Sequence, residues 1–278
     1  MATVVVTGAS KGIGRATALH LDKKGFTVIA GVRNEADGDQ LRQAASPRLQ
    51  TVIVDITNPA QVTQLAEAVR QTVGQNGLDG LVNNAGIAIA APLEFLPIDE
   101  FCHQIEVNLT AHLRVTQALL PAIRQAKGRI INISSIGGRL ASPMLGAYNA
   151  SKFGLEGLTD ALRQELAQWG IKVVSIEPGA IATPIWETGT ATADRLQAKM
   201  PAQAQEYYGA KMQGTRTFAA QATKTGLPPE RVAEVIEQAL TASKPRTRYP
   251  VGMDAKIGTR IIAFLPDNLR DWMLARRR

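Results

Sequence analysis

Short apolar runs alternate with longer amphipathic stretches along most of the chain. The first run, Ala2-Thr3-Val4-Val5-Val6-Thr7, is rich in β-branched residues and has no polar alternation, which is typical of a strand buried on both faces of a parallel sheet. The alternation predicts one α/β domain with helices on both faces of that sheet. The predicted strands lie at 2–7, 26–32, 49–54, 80–82, 129–133 and 171–176, and the predicted helices at 15–24, 59–73, 99–125, 147–169 and 229–242.

A glycine-rich loop directly follows the first run. It reads Gly8-Ala9-Ser10-Lys11-Gly12-Ile13-Gly14 and leads into a helical stretch that ends at Gly25. Glycines between a strand and a helix let backbone amides approach a pyrophosphate, so the loop predicts a dinucleotide site. The spacing is Gly-x-x-x-Gly-x-Gly rather than Gly-x-Gly-x-x-Gly, and the alternative is a turn that only needs flexible residues.

A tyrosine and a lysine four residues apart, Tyr148 and Lys152, form a second chemical signal. At this spacing two side chains share one face of a helix, about 5–6 Å apart, so the ammonium group is expected to favour the ionised phenol and to lower its pKa. Such a tyrosine can serve as a general acid or base near neutral pH. Many helices carry the same pair as a solvated face, and the surrounding motifs decide between the two interpretations.

These motifs occur together with Asn83-Asn84-Ala85-Gly86, with Ser135 and with Pro178-Gly179 followed by Thr183. In order and spacing they resemble the short-chain dehydrogenase/reductase family from residue 3 to about 184. The segment 132–166 is most similar to the branch with retinol- and hydroxysteroid-type dehydrogenases and carbonyl reductases. The resemblance implies a Rossmann-type doubly wound parallel sheet of about seven strands, with residues 1–278 as one domain. It also implies an enzyme that interconverts a ketone or aldehyde and its alcohol by hydride transfer.

The resemblance also implies the site residues. Ser135 stands 13 residues before Tyr148, as is typical of the family, and would stabilise charge on the substrate oxygen; a register shift of one would exchange it with Ser134. Lys152 would hold the nicotinamide ribose. The backbone of Asn108 would hold a water that links Lys152 to solvent. The expected catalytic residues are Ser135, Tyr148, Lys152 and Asn108; the expected cofactor-binding residues are Gly8, Ser10, Lys11, Gly12, Ile13, Gly14, Arg33, Asp55, Ile56, Asn83, Ala85, Gly86, Tyr148, Lys152, Pro178, Gly179, Ile181 and Thr183.

The end of the second strand predicts which dinucleotide is bound. An acidic residue there binds the ribose 2′-hydroxyl of NAD, whereas arginine suits the 2′-phosphate of NADP. Val32 stands where NAD-preferring relatives carry an acid, Arg33 follows it, and Lys11 adds a second cation. We therefore predict NADP(H); the alternative is that Arg33 is an ordinary loop arginine.

A long insertion at about 184–227 separates the last motif from the next predicted helix. The family uses this region as a substrate lid, and its aromatic and methionine residues suit a medium to bulky apolar carbonyl compound. Equally, these side chains can be the packing face of a helical pair. They are Trp186, Met200, Tyr207, Tyr208, Met212 and Phe218, and segments 137–145 and 88–95 would form the facing walls.

Composition and charge limit where the protein is expected to be located and what it is expected to bind. The chain has one cysteine, Cys102, its first strand begins at residue 2 or 3, and no apolar run reaches about 18 residues, so we expect a cytoplasmic protein without a signal peptide, membrane span or metal site. Residues 244–278 hold nine Lys or Arg against three Asp and so carry +6 of the net charge of +7. This basic C-terminal segment can contact an anionic membrane, pack on a second subunit or stay a solvated end.

The expected partners are a small carbonyl or alcohol substrate and a second copy of the chain. The helices around 109–120 and 153–169 resemble the subunit contact of the family, which implies a homodimer or homotetramer. Nucleic acid is not expected, because no recognition motif accompanies the charge. The rival to an enzyme is a non-catalytic NADP(H)-binding sensor or scaffold of the same fold.

Overall fold

Seven parallel strands form one sheet in the computed structural model, which describes residues 2–275. The strands are β1 (Thr3–Val6), β2 (Thr27–Val32), β3 (Leu49–Ile53), β4 (Gly80–Asn83), β5 (Arg129–Ile133), β6 (Lys172–Pro178) and β7 (Arg248–Val251). They lie in the order β3-β2-β1-β4-β5-β6-β7, which confirms the predicted doubly wound sheet. The winding reverses between β1 and β4, and in such sheets ligands bind at the carboxyl ends of the strands beside this point.

Helices cover both faces of the sheet because successive strand residues point to opposite sides. Val4 of β1 packs in a core with Leu21 and Ile236, and Val5 packs in a second core with Val115. The helices are α1 (Gly12–Lys23), α2 (Glu35–Gln43), α3 (Pro59–Val73), α4 (Ile98–Ile105), α5 (Ala111–Ala126), α6 (Gly146–Glu165), α7 (Ile185–Gln197), α8 (Ala202–Thr225), α9 (Pro229–Thr241), α10 (Met253–Arg260) and α11 (Asp267–Ala275). In this part of the chain no helix has the length and apolarity needed to cross a bilayer.

The helix expected at 99–125 is interrupted. A π-helical segment, Glu106–Thr110, separates α4 from α5. Asn108 lies in it and bonds both backbone groups of Ile87, accepting from the amide at 2.9 Å and donating to the carbonyl at 3.0 Å. π-Segments of this kind are frequent at functional sites.

Several elements were not predicted from the sequence, among them α2, β7, α10 and α11. The helix α2 begins at an Asn34 cap, whose side chain accepts the Asp37 amide at 2.8 Å. The strand β7 arises within the basic C-terminal segment, where it pairs with β6. The basic segment is therefore partly folded into the domain, while Arg276, Arg277 and Arg278 lie outside the described residues.

The insertion at 184–227 forms two helices, α7 and α8. A helical pair was one of the two expectations for this segment. Arg195 of α7 donates to Glu100 of α4 at 2.7 Å, and Tyr208 of α8 donates to Glu94 at 2.8 Å. These contacts hold the helical pair against the segment that follows β4.

A buried cluster of charges joins α6 to β6 and β7. Arg248 donates to Glu156 at 3.0 Å and to Asp160 at 2.6 Å, and its Nε lies 3.3 Å from Glu177 Oε1. Arg139 Nη1 lies 3.6 Å from the same Glu177 oxygen. Arg163 also donates to Asp160, so three carboxylates face three guanidinium groups. Burial, and then the charge of Glu156, raise the pKa of Glu177 to about 7, although Arg139 and Arg248 oppose the shift and Asp160 adds to it.

The raised pKa of Glu177 predicts how stability depends on pH. Between its ordinary pKa of 4.5 and the folded value of about 7, the folded protein holds a proton that the unfolded chain has lost. Stability therefore falls as pH rises through this window. Because the amide of Glu177→Gln does not titrate, we expect the free energy of unfolding of this variant to exceed that of the wild type by about 3 kcal/mol at pH 8, and by much less at pH 5.

Urea unfolding at pH 5, 6.5 and 8 measures this difference. Glu237→Gln is the control of opposite sign: partial burial raises the pKa of Glu237, but the hydrogen bonds and charges of His20 and Lys24 outweigh burial and lower it. That variant should be less stable than the wild type at pH 8. A Glu177→Gln effect of equal size at all three pH values would contradict the titration of Glu177.

Candidate active site

The predicted site residues converge at the carboxyl ends of β1, β4, β5 and β6. The glycine loop follows β1, the Asn84-Ala85-Gly86 turn follows β4, Ser135 follows β5, and the segment 179–183 follows β6. Because parallel strands end at one edge of their sheet, four distant parts of the chain meet there. Tyr148 and Lys152 join them from the first two turns of α6.

The glycine loop is too closely packed for side chains. A Cβ at Gly14 would stand 2.2 Å from the Gly8 carbonyl oxygen, and one at Gly8, whose φ is +64°, would stand 2.8 Å from the Cα of Ala85. Lys11 precedes α1 without a side-chain cap, so first-turn amides remain for an external acceptor. This cradle at a helix N-terminus fits a pyrophosphate group.

The turn after β4 is held against the loop by side-chain hydrogen bonds. Thr7 Oγ1 accepts the amides of Asn84 at 3.0 Å and of Ala85 at 3.2 Å. Asn83 donates to Asn132 at 2.9 Å and to Thr116 at 3.0 Å, which joins β4 to β5 and α5. A Cβ at Gly86, the last residue of the turn, would lie 3.3 Å from Asn108 Oδ1.

Ser135, Tyr148 and Lys152 form one cluster. Lys152 is buried and its ammonium donates to the Ile133 carbonyl at 2.8 Å, while its Nζ lies 5.9 Å from the centre of the Tyr148 ring. The Ser135 hydroxyl accepts the Gly137 amide at 3.0 Å, and Ser135 influences the pKa of the Tyr148 phenol. Ser134, its neighbour, is buried with no hydrogen-bond partner for its hydroxyl among the described residues.

The pKa of Tyr148 departs from the expectation. Desolvation raises it above its ordinary value of 10.0, and the hydrogen bond with Ser135 opposes this shift. The expected lowering by Lys152 is wrong for this arrangement, because desolvation of the phenol dominates. Burial also lowers the pKa of Lys152 to about 8, against the opposing charge of Glu156.

Asn108 is connected to the cluster through Ser151. Its amide donates to Ser151 Oγ at 3.1 Å, and that hydroxyl donates to the Tyr148 carbonyl at 2.7 Å. Asn108 itself is fully buried. The π-helical segment and α6 are thereby joined directly behind the tyrosine.

The residues expected to bind the adenosine half lie at the ends of β2 and β3. Arg33 is exposed directly after β2, whereas Val32 is buried. Asp55 accepts the Thr57 amide at 2.9 Å and hydroxyl at 2.7 Å. Burial raises its pKa, but these bonds and the Arg33 charge outweigh burial and lower it. Ile56 beside it is buried, and Ser10, Lys11 and Ile13 lie in the loop opposite.

The segment after β6 contacts β7 and α10 on one side and the glycine loop on the other. The Gly179 amide donates to Val251 at 2.9 Å, and Gly179 packs so tightly on Asp254 that a Cβ would stand 2.1 Å from it. Ile181 and Thr183 are buried, and a Cβ at Gly12 would meet Thr183 at 3.1 Å. Pro178, the last residue of β6, is buried as well.

Two buried residues of the site were missed from the sequence. Asn149 donates to the Gly137 carbonyl at 2.8 Å and accepts the Ser142 amide at 3.0 Å, which fixes the loop between Ser135 and Tyr148. His112 donates from Nε2 to the Ala85 carbonyl at 2.7 Å. Burial, and then the Lys152 charge, lower the pKa of His112 to about 3. Asn149 stands inside the tyrosine motif, and His112 one turn after Asn108, which were the available signals.

An apolar groove whose lining includes Met144 and Leu145, just before Tyr148 on the chain, contains about 630 Å³ of space, part of it open to solvent. The segment 88–91 and Met144 form one side, and residues of α7 and α8 the other. Met144 has a left-handed backbone, with φ 69°, and its carbonyl accepts the Ala91 amide at 2.9 Å. Of the insertion residues singled out in the sequence, Trp186, Met200, Met212 and Phe218 line the groove.

Comparison with known proteins agrees with this geometry. The family model for short chain dehydrogenase matches residues 2–194. Mouse (Mus musculus) retinol dehydrogenase 5 is 41% identical over 285 residues, which cover 99% of this chain and 89% of the relative. Bovine (Bos taurus) 17-beta-hydroxysteroid dehydrogenase type 6 is 38% identical over 286 residues, covering 98% and 87%.

A solved structure of similar sequence has the same fold. The short-chain dehydrogenase from Streptomyces avermitilis superposes with a TM-score of 0.77 at 30% identity, over 93% of this chain and 90% of its own. The matched family model, the relatives and the fold agree with the motifs at the carboxyl edge of the sheet. The chain belongs to the short-chain dehydrogenase family, in its retinol and hydroxysteroid dehydrogenase branch.

Proposed function

We propose that this oxidoreductase interconverts a medium to bulky apolar ketone or aldehyde and its alcohol, with NADP(H) as cofactor and Tyr148 as general acid and base. The observation that carries the proposal is the cluster of Ser135, Tyr148 and Lys152, together with an apolar groove lined in part by Met144 and Leu145 from the turn that leads into α6. The family uses NAD(H) or NADP(H), and the cradle at Gly8, Gly12 and Gly14 fits the pyrophosphate of either.

The reduced nicotinamide, when bound, supplies the hydride for the carbonyl carbon. Tyr148 gives a proton to the carbonyl oxygen, and its raised pKa keeps the phenol protonated at neutral pH, as an acid must be. Ser135 Oγ accepts the Gly137 amide, so its own proton is available for the same oxygen. The Lys152 ammonium then stabilises the phenolate that Tyr148 becomes.

The preference for NADP(H) rests on charge at the end of β2. Arg33 is exposed directly after β2 and Lys11 is exposed in the glycine loop, while the buried Val32 offers no carboxylate for a ribose 2′-hydroxyl. A guanidinium group binds phosphate oxygens through two parallel hydrogen bonds. A 2′-phosphate therefore has suitable partners at this position.

The substrate class rests on the lining of the groove. Alanine, methionine and aromatic side chains form most of its surface, and Trp186 and Phe218 meet edge to face at 5.5 Å. The mouse and bovine relatives are named for retinol and hydroxysteroid, both bulky and largely apolar. A bulky apolar carbonyl compound would bury its surface in such a groove.

Replacing Tyr148 tests the proton transfer. We expect Tyr148→Phe to retain NADPH affinity but to lower kcat by about 10²–10⁴-fold, the usual contribution of a general acid. NADPH consumption over a panel of apolar ketones and aldehydes measures turnover, and fluorescence titration measures binding. Tyr208→Phe, which loses a lid hydroxyl bound to Glu94, is the control and should stay active. Retained turnover in Tyr148→Phe would remove Tyr148 as the acid.

Replacing Arg33 tests the cofactor preference. We expect Arg33→Glu to lower the ratio of kcat/KM for NADPH over NADH by about 10–100-fold, because a charge-assisted hydrogen bond to phosphate becomes a repulsion. Arg231→Glu changes an exposed arginine of α9 and is the matched control. An unchanged ratio in Arg33→Glu would mean that the 2′-phosphate is bound elsewhere.

The pKa of Lys152 predicts the alkaline limb of the pH profile. Because its pKa is lowered to about 8, kcat/KM for reduction should fall as pH rises through that value and the ammonium loses its proton. The Glu156 charge holds this pKa up, so Glu156→Gln should move the limb to lower pH. A limb that stays in place in Glu156→Gln contradicts the assignment to Lys152, provided that thermal unfolding shows the variant to be folded.

A further inference from the structure

The lid side of the groove carries a charged residue in an apolar wall. Among the described residues that line the groove, Arg216 of α8 is the one with a charge, and its side chain is 25% exposed. The facing wall comes from Met144 and Leu145, just before Tyr148 on the chain. Burying a cation in such a wall is costly unless the cation is paired and hydrogen-bonded.

The guanidinium of Arg216 is held in place but not fully used. Its Nε and Nη2 donate to Asp194 Oδ1 at 3.0 and 2.6 Å, and Nη2 also donates to Gln197. Within residues 2–275, Nη1 takes part in no hydrogen bond. The two N–H groups of Nη1 therefore remain for a ligand, in an orientation that α7 fixes.

The other polar residues of the wall cannot replace it as a donor. The Thr190 hydroxyl donates to the Trp186 carbonyl at 2.9 Å, and the Thr215 hydroxyl donates to the Lys211 carbonyl at 2.9 Å. Both protons are thus committed to the backbone. Among these side chains Arg216 is therefore the one that offers free N–H groups to an acceptor on the substrate.

The charge of Asp194 narrows the class of acceptor. The ion pair of Asp194 and Arg216 has a net charge close to zero. A carboxylate on the substrate would therefore gain little attraction from Arg216 and would be repelled by Asp194. A neutral oxygen, such as an ester or ketone carbonyl, gains the hydrogen bond without that repulsion. Arg216 is in this way suited to a neutral oxygen acceptor.

We infer that Arg216 binds a neutral oxygen at the end of an elongated apolar substrate opposite its reacting carbonyl. The inference rests on the proposed function and narrows its substrate class to apolar aldehydes or ketones with a second, remote carbonyl or ester oxygen. Arg216 contacts the substrate in this assignment and determines specificity, without a part in proton transfer.

Two aldehydes of equal length test the assignment, one ending in a methyl group and the other in a methyl ester. The wild type should favour the ester aldehyde about tenfold in kcat/KM, through KM, as expected for a hydrogen bond to a charged donor. Arg216→Met keeps the apolar stem and should abolish this preference. Arg195→Met is the control: it breaks the ion pair between Arg195 of α7 and Glu100 of α4, which do not line the groove, and it should retain the preference for the ester aldehyde. An equal preference in Arg216→Met and the wild type overturns the assignment.

Equilibrium binding separates this assignment from the proposed function. In a Trp169→Phe, Trp272→Phe background Trp186 is the remaining tryptophan of the three, and its fluorescence reports ligands in the groove. Methyl decanoate should bind about tenfold more tightly than dodecane, an alkane of the same chain length, and Arg216→Met should remove the difference. That result without any turnover would refute the oxidoreductase proposal and leave the Arg216 site standing. Tighter binding of decanoate than of its methyl ester would overturn the neutral acceptor.

Discussion

A buried ammonium group fixes where α6 lies on the sheet. Lys152 donates to the carbonyl of Ile133, the last residue of β5, and an unpaired charge in the interior would cost several kcal/mol. This bond therefore favours the position of α6 in which Tyr148 and Ser135 belong to one cluster. Glu156, one turn further on, continues the constraint to Arg248 and so to β7. The chemistry and the edge of the sheet thus share one set of charges.

Much of the fold could be predicted because its determinants are local. The β-branched runs gave six of the seven strands, since a buried parallel strand must be apolar on both faces. The glycine loop could be predicted because its close packing requires glycines, which are visible in the sequence. A Cβ at Gly14 would meet Gly8, and a Cβ at Gly8 would meet Ala85. The roles assigned to Ser135, Tyr148, Lys152 and Asn108 were carried by motif spacing, and they stay predictions that kinetics must test.

The remaining features depend on contacts between distant parts of the chain. The strand β7 is short and contains Arg248 and Pro250, so only pairing with β6 identifies it. The π-helical turn follows from bonds between Asn108 and Ile87, which lie 21 residues apart. The pKa of Tyr148 was predicted to be lowered, whereas it is raised. Helical spacing shows the neighbouring cation but not the loss of water around the phenol. Arg216 was not singled out, since its significance comes from Asp194 and the wall around it.

The left-handed backbone at Met144 has a consequence for how the groove can be enlarged. A side chain at φ 69° strains the chain by about 1–3 kcal/mol, and the hydrogen bond from the Ala91 amide to the Met144 carbonyl holds it there. Replacement by glycine would relieve this strain, but it would also delete a buried side chain, and such deletions cost about 2–5 kcal/mol. The relieved strain therefore offsets part of the cost of opening the groove at residue 144.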